Sequence, residues 1–156
     1  MLDPPADNAN KELAYVEQVW PSLSLTEAHS LADDVASASP KAKILIVDDE
    51  RSIVETLQYN LERVGHSVCA AYDGRQAVAV AALERPNVII LDVMLPVMDG
   101  FSACAAIRSL MDVPILLLTA KGTESDKIAG FRVGASDYIT KPFVLKDLMD
   151  RVLGYL

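Results

Sequence analysis

Cysteine and histidine are scarce in this chain: its 156 residues hold two cysteines, Cys69 and Cys104, and two histidines. The cysteines have no C-x-x-C spacing and no histidine cluster beside them. That excludes a disulfide framework and a zinc site of ordinary spacing. Both cysteines lie in apolar surroundings and read as buried thiols in a reducing compartment. No apolar run reaches the ~20 residues of a membrane span. The opening stretch MLDPPADNAN has no basic residue and no apolar core, so it does not read as a secretory signal. These absences imply a cytoplasmic chain without membrane contact. Positive charge is also short, with 14 Lys and Arg against 22 Asp and Glu and a formal net charge of −8. Such a chain is a poor nonspecific binder of nucleic acid or anionic membrane.

What is present suits a globular fold: 51% of residues are hydrophobic and 23% charged. The acidity is uneven. Residues 1–40 carry seven acids and one base, whereas the remainder is nearly balanced. Composition also changes near residue 40, where VASASPKAK (35–43) reads as a linker. We therefore expect an N-terminal extension and linker over 1–40 and one domain over 41–156. The extension shows two short helical patterns, one over Lys11–Trp20 ended by Pro21 and one from about Leu25 to Ala36. Two such helices cannot bury a core alone. The extension is then either a partly disordered leader or a helix pair that docks, with Trp20 as its anchor.

After residue 43 the pattern becomes regular. Short apolar runs at 44–47, 68–72, 88–91, 114–118 and 137–140 alternate with helical stretches at about 52–64, 76–84, 100–110, 125–133 and 145–156. Asp73-Gly74 reads as a turn. Alternating strands and helices imply right-handed βαβ crossovers and a parallel sheet covered on both faces. Five units predict a flavodoxin-like doubly wound α/β domain, whose ligand site lies beyond the carboxyl ends of the strands.

Polar residues gather at those ends. Asp48, Asp49 and Glu50 follow the first run, Asp92 the third, Thr119 the fourth and Lys141 the fifth. Carboxylates so close repel one another and call for a cation. An all-oxygen donor set favours a hard ion, and Mg²⁺ fits because it takes few carboxylates and keeps waters and phosphate oxygens. A carboxylate can also act as a nucleophile toward phosphorus. Each residue alone has a plainer reading. The three acids could favour a helix N-terminus, Thr119 could be structural, Tyr138 could be core, and Lys141 could be a surface lysine.

VDDE at 47–50, LDVMLPVMDG at 91–100, LTA at 118–120 and DYITKPF at 137–143 together resemble the receiver domain of two-component response regulators. The resemblance implies a sheet of order 2-1-3-4-5, with Asp92 as phosphoacceptor. It implies Mg²⁺ held by Asp49, Asp92 and the Met94 backbone carbonyl, with Asp48 acting through water. Thr119 would be the switch hydroxyl, Tyr138 the aromatic partner that turns inward with it, and Lys141 the phosphoryl-binding cation. The Lys141–Pro142 bond would be cis.

The pattern is most similar to the winged-helix (OmpR/PhoB) subfamily. There Lys127, Asp137, Asp147 and Arg151 would form a self-complementary dimer face, Lys127 pairing with Asp147 and Asp137 with Arg151 across a two-fold axis. An ordinary solvated face is the plainer reading, with Asp147–Arg151 a weak i,i+4 pair. The implied partner is a sensor histidine kinase, and the implied output is transcription through a DNA-binding domain beyond this chain. A stand-alone receiver that docks a partner or relays phosphate is the alternative. A phosphatase with an Asp nucleophile would need a second acid two residues on, where this chain has Met94.

Overall fold

The computed structural model describes residues 42–156. The helices expected within 1–40 lie outside the described residues. Strand β1 (Lys43–Val47) leads to α1 (Arg51–Arg63), β2 (Ser67–Ala71) to α2 (Gly74–Glu84), and β3 (Val88–Leu91) to α3 (Gly100–Leu110). Then β4 (Ile115–Thr119) leads to α4 (Glu124–Arg132), and β5 (Asp137–Thr140) to α5 (Leu145–Gly154). The sheet is five-stranded and parallel, in the order β2-β1-β3-β4-β5. This is the doubly wound flavodoxin-like architecture.

The strands are apolar throughout because both faces of the sheet are covered. Successive side chains point to opposite faces. Leu45, Val47, Ile89, Leu91, Ile115 and Leu117 pack with Ala77 and Ala81 of α2 and with Ala103, Cys104 and Ile107 of α3. On the other face Ile44, Ile46, Ile90, Leu116 and Leu118 meet Val54, Leu57 and Leu61 of α1 and Leu148 and Val152 of α5. Truncating a fully buried residue such as Leu57 to alanine costs about 2–5 kcal/mol. Cys104 is buried and Cys69 half-buried, and both are free thiols. Among the described residues no helix is long and apolar enough to cross a membrane.

Helix caps separate structural acids from the rest. Asp73 accepts the Gln76 N–H at 2.7 Å, so α2 begins at Gly74, two residues earlier than expected. The Asp-Gly pair is therefore an N-cap and first helical residue rather than a free turn. Asp99 accepts the Ser102 N–H at 3.0 Å, and Thr123 with Asp126 forms a capping box on α4. In contrast, α1 starts directly after three acids, yet its N-cap residue Glu50 makes no side-chain cap bond.

Candidate functional site

Register assembles the site. Val47 pairs with Leu91, so the next residue of each strand, Asp48 and Asp92, emerge together at the carboxyl edge. The Asp92 N–H continues the ladder to the Val47 carbonyl at 2.9 Å, and the Asp48 N–H reaches Ala71 at 3.2 Å. On the other side Thr119 pairs with Thr140, and the Lys141 N–H donates to the Thr119 carbonyl at 2.9 Å. Lys141 thereby emerges at the same edge as the acids. The Lys141–Pro142 bond is cis.

The Lys141 ammonium donates to Asp48 Oδ2 at 2.8 Å and to Asp92 Oδ2 at 3.0 Å, with Glu50 Oε1 3.5 Å away. Asp48 and Asp92 are 2% and 4% exposed. Their second oxygens are also occupied. The Glu50 N–H donates to Asp48 Oδ1 at 2.9 Å and the Met94 N–H to Asp92 Oδ1 at 3.0 Å. Burial pushes the Asp48 carboxyl above the usual range, against the hydrogen bonds from Lys141 and Glu50, and the charge of Asp92 adds to the rise. Burial alone would lower Lys141, but its bonds to Asp48 and Asp92 outweigh that and push it up to about 12. The lysine therefore stays charged at neutral pH.

One ammonium faces several carboxylates, so the pocket keeps excess negative charge. Asp48, Asp49 and Asp92 each offer an oxygen within 4.8 Å of the others. Asp49 is exposed at the rim. That donor set is all oxygen and carries more negative charge than Lys141 can offset, which fits a small hard cation. A shallow groove of about 660 Å³ opens beside it, lined by Val93, Met94, Leu95, Asp99, Phe101 and Lys121.

Thr119 is fully buried at the end of β4, where its hydroxyl accepts the Lys121 N–H at 3.4 Å. Tyr138 is turned inward: the residue is 7% exposed and its hydroxyl donates to the Lys121 carbonyl. Burial raises its phenol above the ordinary value, and the charges of Asp126 and Asp92 add to this. Lys127, Asp147 and Arg151 line a groove of about 350 Å³ with Tyr138 and Phe143. Within the chain Arg151 pairs with Asp137 at 3.1 Å.

Sequence reasoning did not single out Lys121 or the Met94 N–H, because backbone donors and acceptors leave no mark in residue identity. It also passed over Arg108. That guanidinium donates to the Gly134 carbonyl at 2.7 Å and the Val113 carbonyl at 2.6 Å, tying α3 to the end of α4. Gly100 was read only as a helix start. A Cβ there would strike the Asp92 carbonyl, so this glycine lets α3 begin against the backbone of the acid it follows.

The buried acids Asp48 and Asp92 and the Lys141 ammonium thus meet at the carboxyl edge of a doubly wound α/β sheet, the edge at which such folds bind their ligands. Residues 44–153 match the response regulator receiver domain family model. The chain belongs to that family. Among solved structures it is similar to the chemotaxis response regulator CheY4 of Vibrio cholerae, with 39% identity, a TM-score of 0.69, and 74% of this chain and 98% of that chain covered. It is also similar to the beryllofluoride-activated N-terminal receiver domain of Klebsiella pneumoniae RstA, with 32% identity, a TM-score of 0.69, and 72% and 97% covered. A Francisella response regulator receiver domain matches at 31% identity with a TM-score of 0.70, covering 74% and 96%.

Proposed function

We propose that this receiver takes a phosphoryl group from a histidine kinase onto Asp92 and acts as a switch rather than a turnover enzyme. The observation that carries this reading is the single ammonium of Lys141 bonded at once to Asp48 and Asp92, inside a pocket with surplus carboxylate. Asp92 would attack the phosphorus of a phosphohistidine. A P–O bond forms as the P–N bond breaks, and the histidine nitrogen keeps the electron pair. Lys141 then offsets charge on the phosphoryl oxygens. Asp49, Asp92 and the Met94 carbonyl, with Asp48 through water, would hold Mg²⁺. Bound there, the ion supplies electrostatic stabilisation of the transferring group. Thr119 would donate its hydroxyl to a phosphoryl oxygen, with Tyr138 as its inward partner.

Residues 41–156 form the receiver in this reading, and 1–40 an extension to it. The output would be transcription through a DNA-binding domain beyond this chain, in the manner of the winged-helix subfamily. The RstA likeness and the charged groove of Lys127, Asp147 and Arg151 support this. Activation would bring two copies together on that face, exchanging the Asp137–Arg151 bond within the chain for its equivalent between chains. Acetyl phosphate or beryllofluoride with Mg²⁺ tests the reading. Intact mass and NMR should report modification or occupancy at Asp92, and light scattering should report a dimer. No change in the wild type, or an Asp92→Asn variant that responds like it, would remove the phosphoacceptor assignment. A charge reversal at Asp147 that still dimerises fully would remove the dimer face.

A further inference from the structure

Among the described residues of α4, Gly130 alone is buried, while Ile128 and Phe131 of the same helix are largely exposed. Glycine in a helix interior is unfavourable for helix formation, so its presence at the one buried position of α4 calls for a steric reason. The reason is visible in the packing. A Cβ at residue 130 would lie 2.9 and 3.1 Å from Cδ2 and Cε2 of Tyr138 and 2.8 Å from Cδ1 of Leu117. Leu117 sits on β4 with no exposed surface, so it has no route to solvent. Tyr138 lies nearer the surface, at 7% exposed.

We infer that Gly130 is a positioning residue for Tyr138: the bare helix surface at residue 130 forms the seat in which the aromatic ring lies inward, and a single methyl group there shifts the ring toward solvent. This rests on the receiver reading, in which the inward ring accompanies the activated arrangement of Thr119. With the seat vacant of side chain, the inward ring is held by packing and by its bond to the Lys121 carbonyl. Residue 130 then sets how much of the chain is already in the binding-competent arrangement, and a ligand of that arrangement binds more weakly as the fraction falls.

The experiment is Gly130→Ala in the full chain, with the Tyr138 ring followed by residue-selective aromatic NMR and beryllofluoride with Mg²⁺ as the phosphoryl probe. Without the probe, the Tyr138 ring signals should move from buried to solvent-exposed positions. With it, Asp92 should still saturate, but the apparent affinity should fall by about tenfold, as expected when the competent fraction drops by that factor. A ring that stays inward with unchanged affinity overturns the proposal. If alanine weakens folding, the Tyr138→Ala background decides. There the methyl group has space and α4 gains a better helix former, so Gly130→Ala should raise the melting temperature. A fall equal to that in the Tyr138 protein would place the clash on Leu117 instead and overturn the seat. A wild type that ignores beryllofluoride would remove the receiver reading alone, because the ring measurement needs no phosphoryl probe.

Discussion

Two lysines at opposite edges of the sheet show how the same ion pair chemistry is put to different ends. At the amino edge, Lys43 donates to the Glu84 carboxylate at 2.8 Å and to the Glu84 carbonyl at 3.2 Å. One cation meets one anion at a half-exposed site, and burial works against the raised Lys43 pKa that its bond to Glu84 produces. At the carboxyl edge, Lys141 is shared between two buried acids with a third nearby. The first pair ties β1 to the end of α2 and is complete. The second is short of positive charge, and that deficit favours a cation. Charge balance, more than the presence of a salt bridge, separates the site from the scaffold.

The comparison breaks most sharply at Asp92. Asp92→Asn should abolish phosphorylation by acetyl phosphate entirely, read by intact mass, while leaving the amino edge and the fold in place. The next test sets the lysines against each other. Lys141→Met strands two buried carboxylates and should cost about 3 kcal/mol in urea melts at neutral pH. Lys43→Met, at an exposed pair, should cost clearly less. Equal losses would show that the Lys141 cluster is ordinary scaffold. The third test adds the missing charge. Mg²⁺ at ten times its Kd should stabilise the protein by about 1.4 kcal/mol, and Asp49→Asn should remove most of that gain.

A smaller effect separates acids that share the carboxyl edge. Asp99 is a cap, and its bonds from the Ser102 N–H and hydroxyl hold its carboxyl below the usual range. Asp99→Ala should cost about 1 kcal/mol at neutral pH. A lowered folded pKa gives stability that is complete above the ordinary carboxylate pKa and is lost as pH falls through the folded value. Wild type and variant should therefore converge in acid, in paired thermal melts across pH. The smallest expected effect concerns backbone strain. Among the described residues each edge holds one non-glycine residue in the left-handed region, Arg85 at φ 48° and Val97 at φ 69°. A β-branched side chain is the less tolerant there. Val97→Gly should gain less than about 1 kcal/mol, because the relieved strain is partly offset by glycine's greater freedom in the unfolded chain, and Arg85→Gly less still, in chemical denaturation.

The strands were legible because a doubly covered parallel sheet demands apolar runs, and ILIV, VIIL and ILLL supply them. The acids at their ends were legible for the same reason, since parallel strands place all carboxyl ends on one edge. The α2 start was misjudged because Asp-Gly signals a turn equally well. Its resolution lay in the Gln76 N–H reaching Asp73, which is a matter of backbone path. The Lys121 carbonyl and Met94 N–H were hidden because every residue has these groups. Gly130 was hidden because its role is set by Tyr138, a residue on another element.

The register between β1 and β3 has a consequence for when this protein can be modified. Asp48 and Asp92 meet only because Val47 opposes Leu91, and Lys141 reaches them only because Thr140 opposes Thr119. A one-residue slip would turn each acid toward the opposite face and disperse the apolar layers in the same stroke. If Asp92 is the phosphoacceptor proposed above, a nascent, misfolded or partly unzipped chain would offer a kinase no acceptor. Phosphate on Asp92 would then certify a correctly zipped sheet as well as carry a signal, and the signalling pool would count only finished molecules.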